Sequence, residues 1–188
     1  MIRPTNIIHS FFLFNNKINL KYNFKNMNSQ TINKFFVYGT LRPDISAPWS
    51  DMVHNNSNFK VSCFKSYLNH SKLFMHKKIG FPVCLHNPKI YSEKEITKGY
   101  LLETNNVEET LKLFDEIEGY PEEYDRYLIK CYTEESGEVG VHDAYFYSLK
   151  FESINYDDLI DLKINDFISY SNKCDVTKCF ADDDYNSE

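Results

Sequence analysis

Glycine is scarce in this 188-residue chain, which has six, at positions 39, 80, 99, 119, 137 and 140. That scarcity excludes collagen-like repeats and Gly/Ser linkers, and neither GxxxxGK[ST] nor GxGxxG is present to cradle a phosphate. Acidic residues are missing before Asp44, although Arg3, Lys17, Lys21, Lys25, Lys34 and Arg42 all precede it. The five cysteines are odd in number and have no CxxC spacing. Neither a disulfide framework nor a zinc knuckle is read from them, and free thiols in a reducing compartment are expected. No apolar run approaches the roughly 18 residues of a membrane-spanning helix, since even Ile7 to Phe14 is interrupted by His9 and Ser10. A soluble protein with no membrane partner is expected. A formal net charge of −6 offers no field for a phosphate backbone, so no nucleic-acid partner is expected either.

Bulky apolar residues are abundant: 42% of the chain is hydrophobic, with 15 Phe and 14 Tyr. That suffices for the core of one domain at this length. The uneven charge marks the ends. Residues 1–33 read as an extension, either disordered or an organelle-targeting segment, with Met27 as an alternative start. Residues 34–174 read as a single domain and 175–188 as an acidic, solvated tail. The cytoplasm is the expected compartment, unless the extension directs the chain to an organelle.

Short strand patterns dominate the middle. Phe35 to Tyr38 is a buried-strand run, and Phe59 to Leu68, Leu73 to Met75, Pro82 to His86, Lys98 to Glu103, Tyr124 to Thr133 and Val139 to Leu149 follow. Ser136, Gly137 and Gly140 suggest a hairpin between the last two. Val107 to Glu118 has a helical period with Asn106 as its cap, and Tyr156 to Tyr170 reads as a closing amphipathic helix. Strands outnumber helices without regular alternation, which points to the α+β class.

Two segments carry chemistry. Projected at about 100° per residue, Val107, Leu111, Phe114 and Ile117 form an apolar arc, and Glu118 falls inside it, about 20° from Leu111. Glu118 is therefore a carboxylate aimed at the core from the last helical turn, with Gly119 placed to end the helix in the left-handed conformation. Burial, the negative end of the helix dipole and Asp115 three residues back should each disfavour its ionised form and raise its pKa. A carboxyl poised nearer neutrality can take and return a proton. A purely structural role would instead pair Glu118 with Arg126 or a tyrosine hydroxyl. The second segment is Tyr38-Gly39-Thr40-Leu41-Arg42, where a hydrophobic strand ends at a glycine and the following N–H groups can converge on a small anion.

Together these segments resemble the gamma-glutamylcyclotransferase superfamily, in particular its AIG2-like branch that includes gamma-glutamylaminecyclotransferase. Tyr38 to Arg42 resembles the family's substrate-binding loop. Asp115-x-x-Glu118-Gly119 followed by Tyr124-x-Arg126 resembles its catalytic glutamate segment. Lys98 to Leu102 and Ala144 to Tyr147 resemble two of its strands, and the likeness runs from about Phe35 to Leu149. The resemblance implies a small, mixed, mainly antiparallel β-barrel with flanking helices. It also implies an intramolecular reaction, in which the α-amine of a γ-glutamyl compound attacks its own γ-carbonyl to give 5-oxoproline and an amine or amino acid. Glu118 would be the general base and acid; Tyr38, Gly39, Thr40 and Leu41 would hold the substrate. Tyr124 is a further binding candidate, as is one late-strand tyrosine, Tyr145 or Tyr147, with Tyr147 as the expected site residue. The implied partner is a small γ-glutamyl substrate, and no metal or other cofactor is called for; the oligomeric state is not read. The alternative from another class is a non-catalytic ligand- or protein-binding module on the same fold. The stretch from Trp49 to Asn58 matches no feature of any branch.

Overall fold

Strands that are apolar throughout, such as Phe35 to Tyr38, need cover on both faces. The computed structural model describes residues 31–135, 137–150, 152 and 154–171. The expected acidic tail, and the extension up to residue 30, lie outside the described residues. In chain order the elements are β1 (Lys34–Val37), α1 (Pro48–His54), β2 (Val61–Asn69), β3 (Ser71–His76), β4 (Pro82–His86), β5 (Ile96–Thr104), α2 (Val107–Ile117), β6 (Tyr124–Glu135), β7 (Glu138–Leu149), a 3-10 turn (Tyr156–Asp158), β8 (Leu159–Asp161) and α3 (Ile168–Ser171). Five strands close a barrel in the order β1-β5-β2-β6-β7, and β4-β3-β8 form a second, smaller sheet. Every described barrel pairing is antiparallel except that of β1 with β7, which run parallel with Phe35 opposite Tyr145. This is the small mixed barrel with flanking helices that the α+β reading and the resemblance implied.

The two-residue period of a strand explains why consecutive positions from Phe35 to Tyr38 are all apolar: the two faces serve different cores. Phe36 and Tyr38 join one buried cluster with Leu68, Leu101, Phe146 and residues of β3 and β4. Phe35 and Val37 join the other, with Leu102, Tyr147, Val53 of α1 and Phe114 of α2. The same split runs through β5 and β7, whose adjacent residues Leu101/Leu102 and Phe146/Tyr147 serve opposite cores. Phe114 is 1% exposed and packs its ring 4.8 Å from that of Phe35, so it fastens α2 to the barrel. Truncation of such a ring to alanine typically costs about 3–5 kcal/mol.

Helix α2 begins as its sequence predicts, with the Asn106 side chain accepting a 3.3 Å bond from the Glu109 N–H. It ends at Glu118, which is the C-cap, and Gly119 then takes φ +61°, the left-handed value that favours glycine. The β6–β7 hairpin turns with Glu135 opposite Glu138, so Gly140 lies within β7 opposite Thr133 instead of in the turn. A larger correction concerns Tyr156 to Tyr170. Ile160, Ile164, Phe167 and Ile168 have helical spacing, but the edge of β3 captures Leu159 to Asp161 as β8, and Lys163 adopts φ +55°. Only Ile168–Ser171 is α-helical there. Pairing Asp161 with Lys72 at 2.7 Å adds to the strand register, which local periodicity cannot anticipate.

Candidate active site

The chain after β1 makes a tight turn, closed by the Arg42 N–H bonding the Gly39 carbonyl at 3.2 Å. Gly39 stands where a Cβ would come within 2.7 Å of the Pro82 ring, so β4 packs against the bare backbone. Contacts of Ser50, His54 and the Arg42 side chain hold the far side of the turn. Ser50 Oγ donates to the Arg42 carbonyl at 2.7 Å, and His54 Nε2 lies 3.0 Å from the Leu41 carbonyl. Arg42 itself is buried, with 2.6 Å and 2.7 Å ion pairs to Asp166 and Asp44 and its guanidinium 5.3 Å above the Tyr100 ring. The segment from Trp49 onward that sequence reading left unmatched thus forms α1 and braces this turn. Among the described residues no bond engages the N–H groups of Thr40 and Leu41.

Facing the turn across a cavity of about 210 Å³ is the end of α2. Tyr38, Gly39, Thr40, Leu41, Glu118, Tyr124 and Tyr147 all line this one cavity, so the residues singled out from sequence come together. Tyr145 does not line it; its ring packs 5.2 Å from Phe35 and 5.7 Å from the Arg126 guanidinium. The walls also include Trp49, Phe81, Pro82 and Glu123, none of which sequence reading assigned to the site. Phe81-Pro82 carries no recognisable signal, whereas Glu123 sits in the acidic run before Tyr124 and could have been singled out.

Glu118 is half-buried and lines the cavity, and desolvation of its carboxyl pushes its pKa up to about 8. Among the described residues no hydrogen bond or ion pair engages this carboxyl. The structural pairing with Arg126 is made by a different residue: Arg126 Nη1 lies 2.6 Å from both carboxylate oxygens of Asp115, and the Tyr147 hydroxyl donates to the same group. Asp115 was expected to repel Glu118; neutralised by Arg126, it leaves burial as the cause of the shift. Burial likewise raises the hydroxyls of Tyr38 and Tyr124 above their ordinary range, and the nearby Glu118 carboxylate adds to both. Both remain neutral donors at physiological pH. Among the described residues no three His, Cys, Asp or Glu side chains converge as a metal-ligand set.

A closed five-stranded mixed barrel with a second small sheet and flanking helices is the fold of the gamma-glutamylcyclotransferase-like proteins. The family described as "Gamma-glutamyl cyclotransferase, AIG2-like" matches residues 35–164, and the chain belongs to it. No curated protein matches the chain in sequence. Among solved structures, an AIG2-like protein from Mus musculus is 18% identical, with TM-score 0.56 over 72% of this chain and 88% of that one. A protein from Arabidopsis thaliana is 15% identical, with TM-score 0.52 over 79% of each chain. An allophanate hydrolase from Kluyveromyces lactis is 16% identical, with TM-score 0.50 over 79% of this chain and 22% of that one. These likenesses show the fold. Among the described residues no helix is long and apolar enough to cross a membrane.

Proposed function

We propose that the protein is a cyclotransferase that cleaves a γ-glutamyl amine or γ-glutamyl amino acid, releasing 5-oxoproline and the amine, with Glu118 as general base and acid. The observation that carries this reading is the unpaired, desolvated Glu118 carboxyl opposite the Tyr38–Leu41 turn in one cavity. An α-ammonium of pKa roughly 8 cannot attack a carbonyl until it loses a proton, and a carboxyl near the same value exchanges that proton at little cost. The α-nitrogen then bonds to the γ-carbon. Collapse of the tetrahedral intermediate breaks the original amide bond, Glu118 returns its proton to the departing nitrogen, and the re-formed carboxylate accepts the second proton that the α-nitrogen loses to become the lactam N–H. No water or external reductant enters the balance. Ring closure is favoured by proximity once the chain is folded into the cavity.

The Thr40 and Leu41 N–H groups are oriented by a turn that leaves them without protein partners, which suits a substrate α-carboxylate. A cavity of about 210 Å³ is below the roughly 300–1,000 Å³ of drug-sized sites, and fits a γ-glutamyl head group better than a whole dipeptide. Tyr124 and Tyr147 would orient the head group from the β6 and β7 side.

The test is 5-oxoproline release from γ-glutamyl-alanine and γ-glutamyl-ε-lysine by the purified protein and by Glu118→Gln. Turnover by the parent and a loss of about 10²–10⁴-fold in the variant are expected. Binding of either compound without 5-oxoproline release would point to a ligand-binding module on the same fold, and equal rates in the two proteins would remove Glu118 from the chemistry.

A further inference from the structure

The cavity that holds Glu118 has a one-sided charge. Among the described residues its lining contains two carboxylates, Glu118 and Glu123, and no lysine, arginine or histidine. Glu118 lies where the chemistry is; Glu123 is solvent-exposed, and its side chain comes close to Gly119 at the end of α2. The exposed part of the wall also includes Ile79, which is 41% exposed, and the half-buried Trp49. The cations nearest in sequence are committed elsewhere. Lys77 Nζ donates to the Asp157 carbonyl, Lys78 is ion-paired to Asp158 at 2.6 Å, and Arg126 is taken by Asp115.

A γ-glutamyl head held by the Thr40 and Leu41 N–H groups, with its γ-amide at Glu118, fills a cavity of this size. Its leaving half must therefore extend toward solvent across the exposed wall. That path offers apolar surface at Ile79 and Trp49 and one carboxylate at Glu123. It offers nothing to neutralise a carboxylate on the leaving half.

Resting on the cyclotransferase reading, we propose that Glu123 is a specificity-determining residue that selects substrates whose leaving amine is aliphatic and carries a second, positively charged amine. An aliphatic stem covers Ile79 and Trp49, and the distal ammonium meets Glu123. A leaving group that ends in a carboxylate meets the same charge with the opposite sign, and specificity against it comes from repulsion as much as from attraction to the cation. Because Glu123 is exposed, the discrimination is modest and screened by salt.

Three substrates of matched chain length test this: the mono-γ-glutamyl derivatives of 1,4-diaminobutane, n-pentylamine and 4-aminobutyrate, which differ in the charge at the far end. The expected order of kcat/KM at low salt is cation, neutral, anion, with about threefold per step carried mainly in KM and a narrower spread at high salt. Glu123→Gln should compress the series to within about twofold, and Glu123→Lys should reverse it. Equal values for all three substrates, or an unchanged order in Glu123→Lys, would overturn the inference. Calorimetric binding of the same compounds to Glu118→Gln separates the two readings. A charge order in binding without turnover in the parent would leave Glu123 as a selector and remove the cyclotransferase. Turnover of all three without a charge order would do the reverse.

Discussion

Arg126 binds Asp115 through one nitrogen placed 2.6 Å from both carboxylate oxygens, and makes no bond to Glu118 one turn further along the same helix end. This division of partners keeps one carboxylate structural and leaves the other available. Residues at i and i+3 on a helix lie about 5–6 Å apart, so the charge state of Asp115 is felt at Glu118. Replacing Arg126 with methionine should expose Glu118 to an uncompensated negative charge and move the acid limb of the activity profile to higher pH. Asp115→Asn should leave a lone cation nearby and move that limb to lower pH. Each variant should also lose about 2 kcal/mol of stability, the size expected when one member of a partly buried pair is removed. Shifts in the same direction, read from kcat/KM profiles, would show that Glu118 does not sense this pair.

The pH dependence of kcat/KM follows from the two groups that share the transferred proton. Productive encounter requires one proton between a Glu118 of pKa about 8 and a substrate amine of roughly the same value. With both protonated the amine cannot attack, and with both deprotonated no acid remains for the leaving nitrogen. A bell centred near pH 8 is expected, with activity at pH 6 about 25-fold below the maximum, or less steeply reduced if the substrate cation lowers the Glu118 value on binding. A profile flat from pH 6 to 9 would contradict the assignment.

Stability should carry the opposite signature. Glu118 keeps its proton in the folded state up to about pH 8 but loses it near pH 4.5 when unfolded. Between those values the folded state binds more protons, so stability falls as pH rises across that window. Glu118→Gln removes this dependence. The variant should match the parent at pH 4.5 and exceed it by about 2 kcal/mol above pH 8, allowing for solvent in the cavity. Urea titrations of both proteins at pH 5 and pH 8.5 check this, and a variant less stable than the parent at pH 8.5 would show that the carboxylate has a stabilising partner.

Gly39 makes a steric prediction. Its alanine variant adds a Cβ within 2.7 Å of the Pro82 ring, which cannot swing aside like a flexible chain. Displacement of the turn should cut kcat/KM about tenfold or more, since a misplacement of about 1 Å in a positioning element can cost a hundredfold. Combining Gly39→Ala with Pro82→Ala should recover part of the loss. A loss unaffected by the second change would place the cause in the backbone and not in the contact with β4.

What the chain's local patterns revealed follows from range. The strand-glycine turn at Tyr38 to Leu41 and the inward glutamate before Gly119 are set by neighbours within a few residues, and both were legible. The mixed barrel was legible only through the family resemblance, since its β1–β7 closure joins residues 110 apart, Phe35 and Tyr145. The helix expected over Tyr156 to Tyr170 failed because an open strand edge outcompeted an amphipathic period. The repulsion expected from Asp115 failed for the same reason of distance: its neutralising partner comes from β6, beyond the turn that follows Gly119. Trp49 and Phe81 reach the cavity from elements whose packing no local pattern encodes.

The buried guanidinium of Arg42 bonds Asp166, which lies 124 residues later in the chain and contributes nothing to the cavity wall. Asp166 and the fully buried Phe167 both fall just past the family match, which ends at residue 164. A shortened chain cut at that limit would retain every residue lining the cavity and still lose one of the two carboxylates that pair with Arg42 beside the Tyr38–Leu41 turn. For the proposed cyclotransferase, the smallest autonomous unit is thus set by an electrostatic strut, and its boundary runs beyond Phe167.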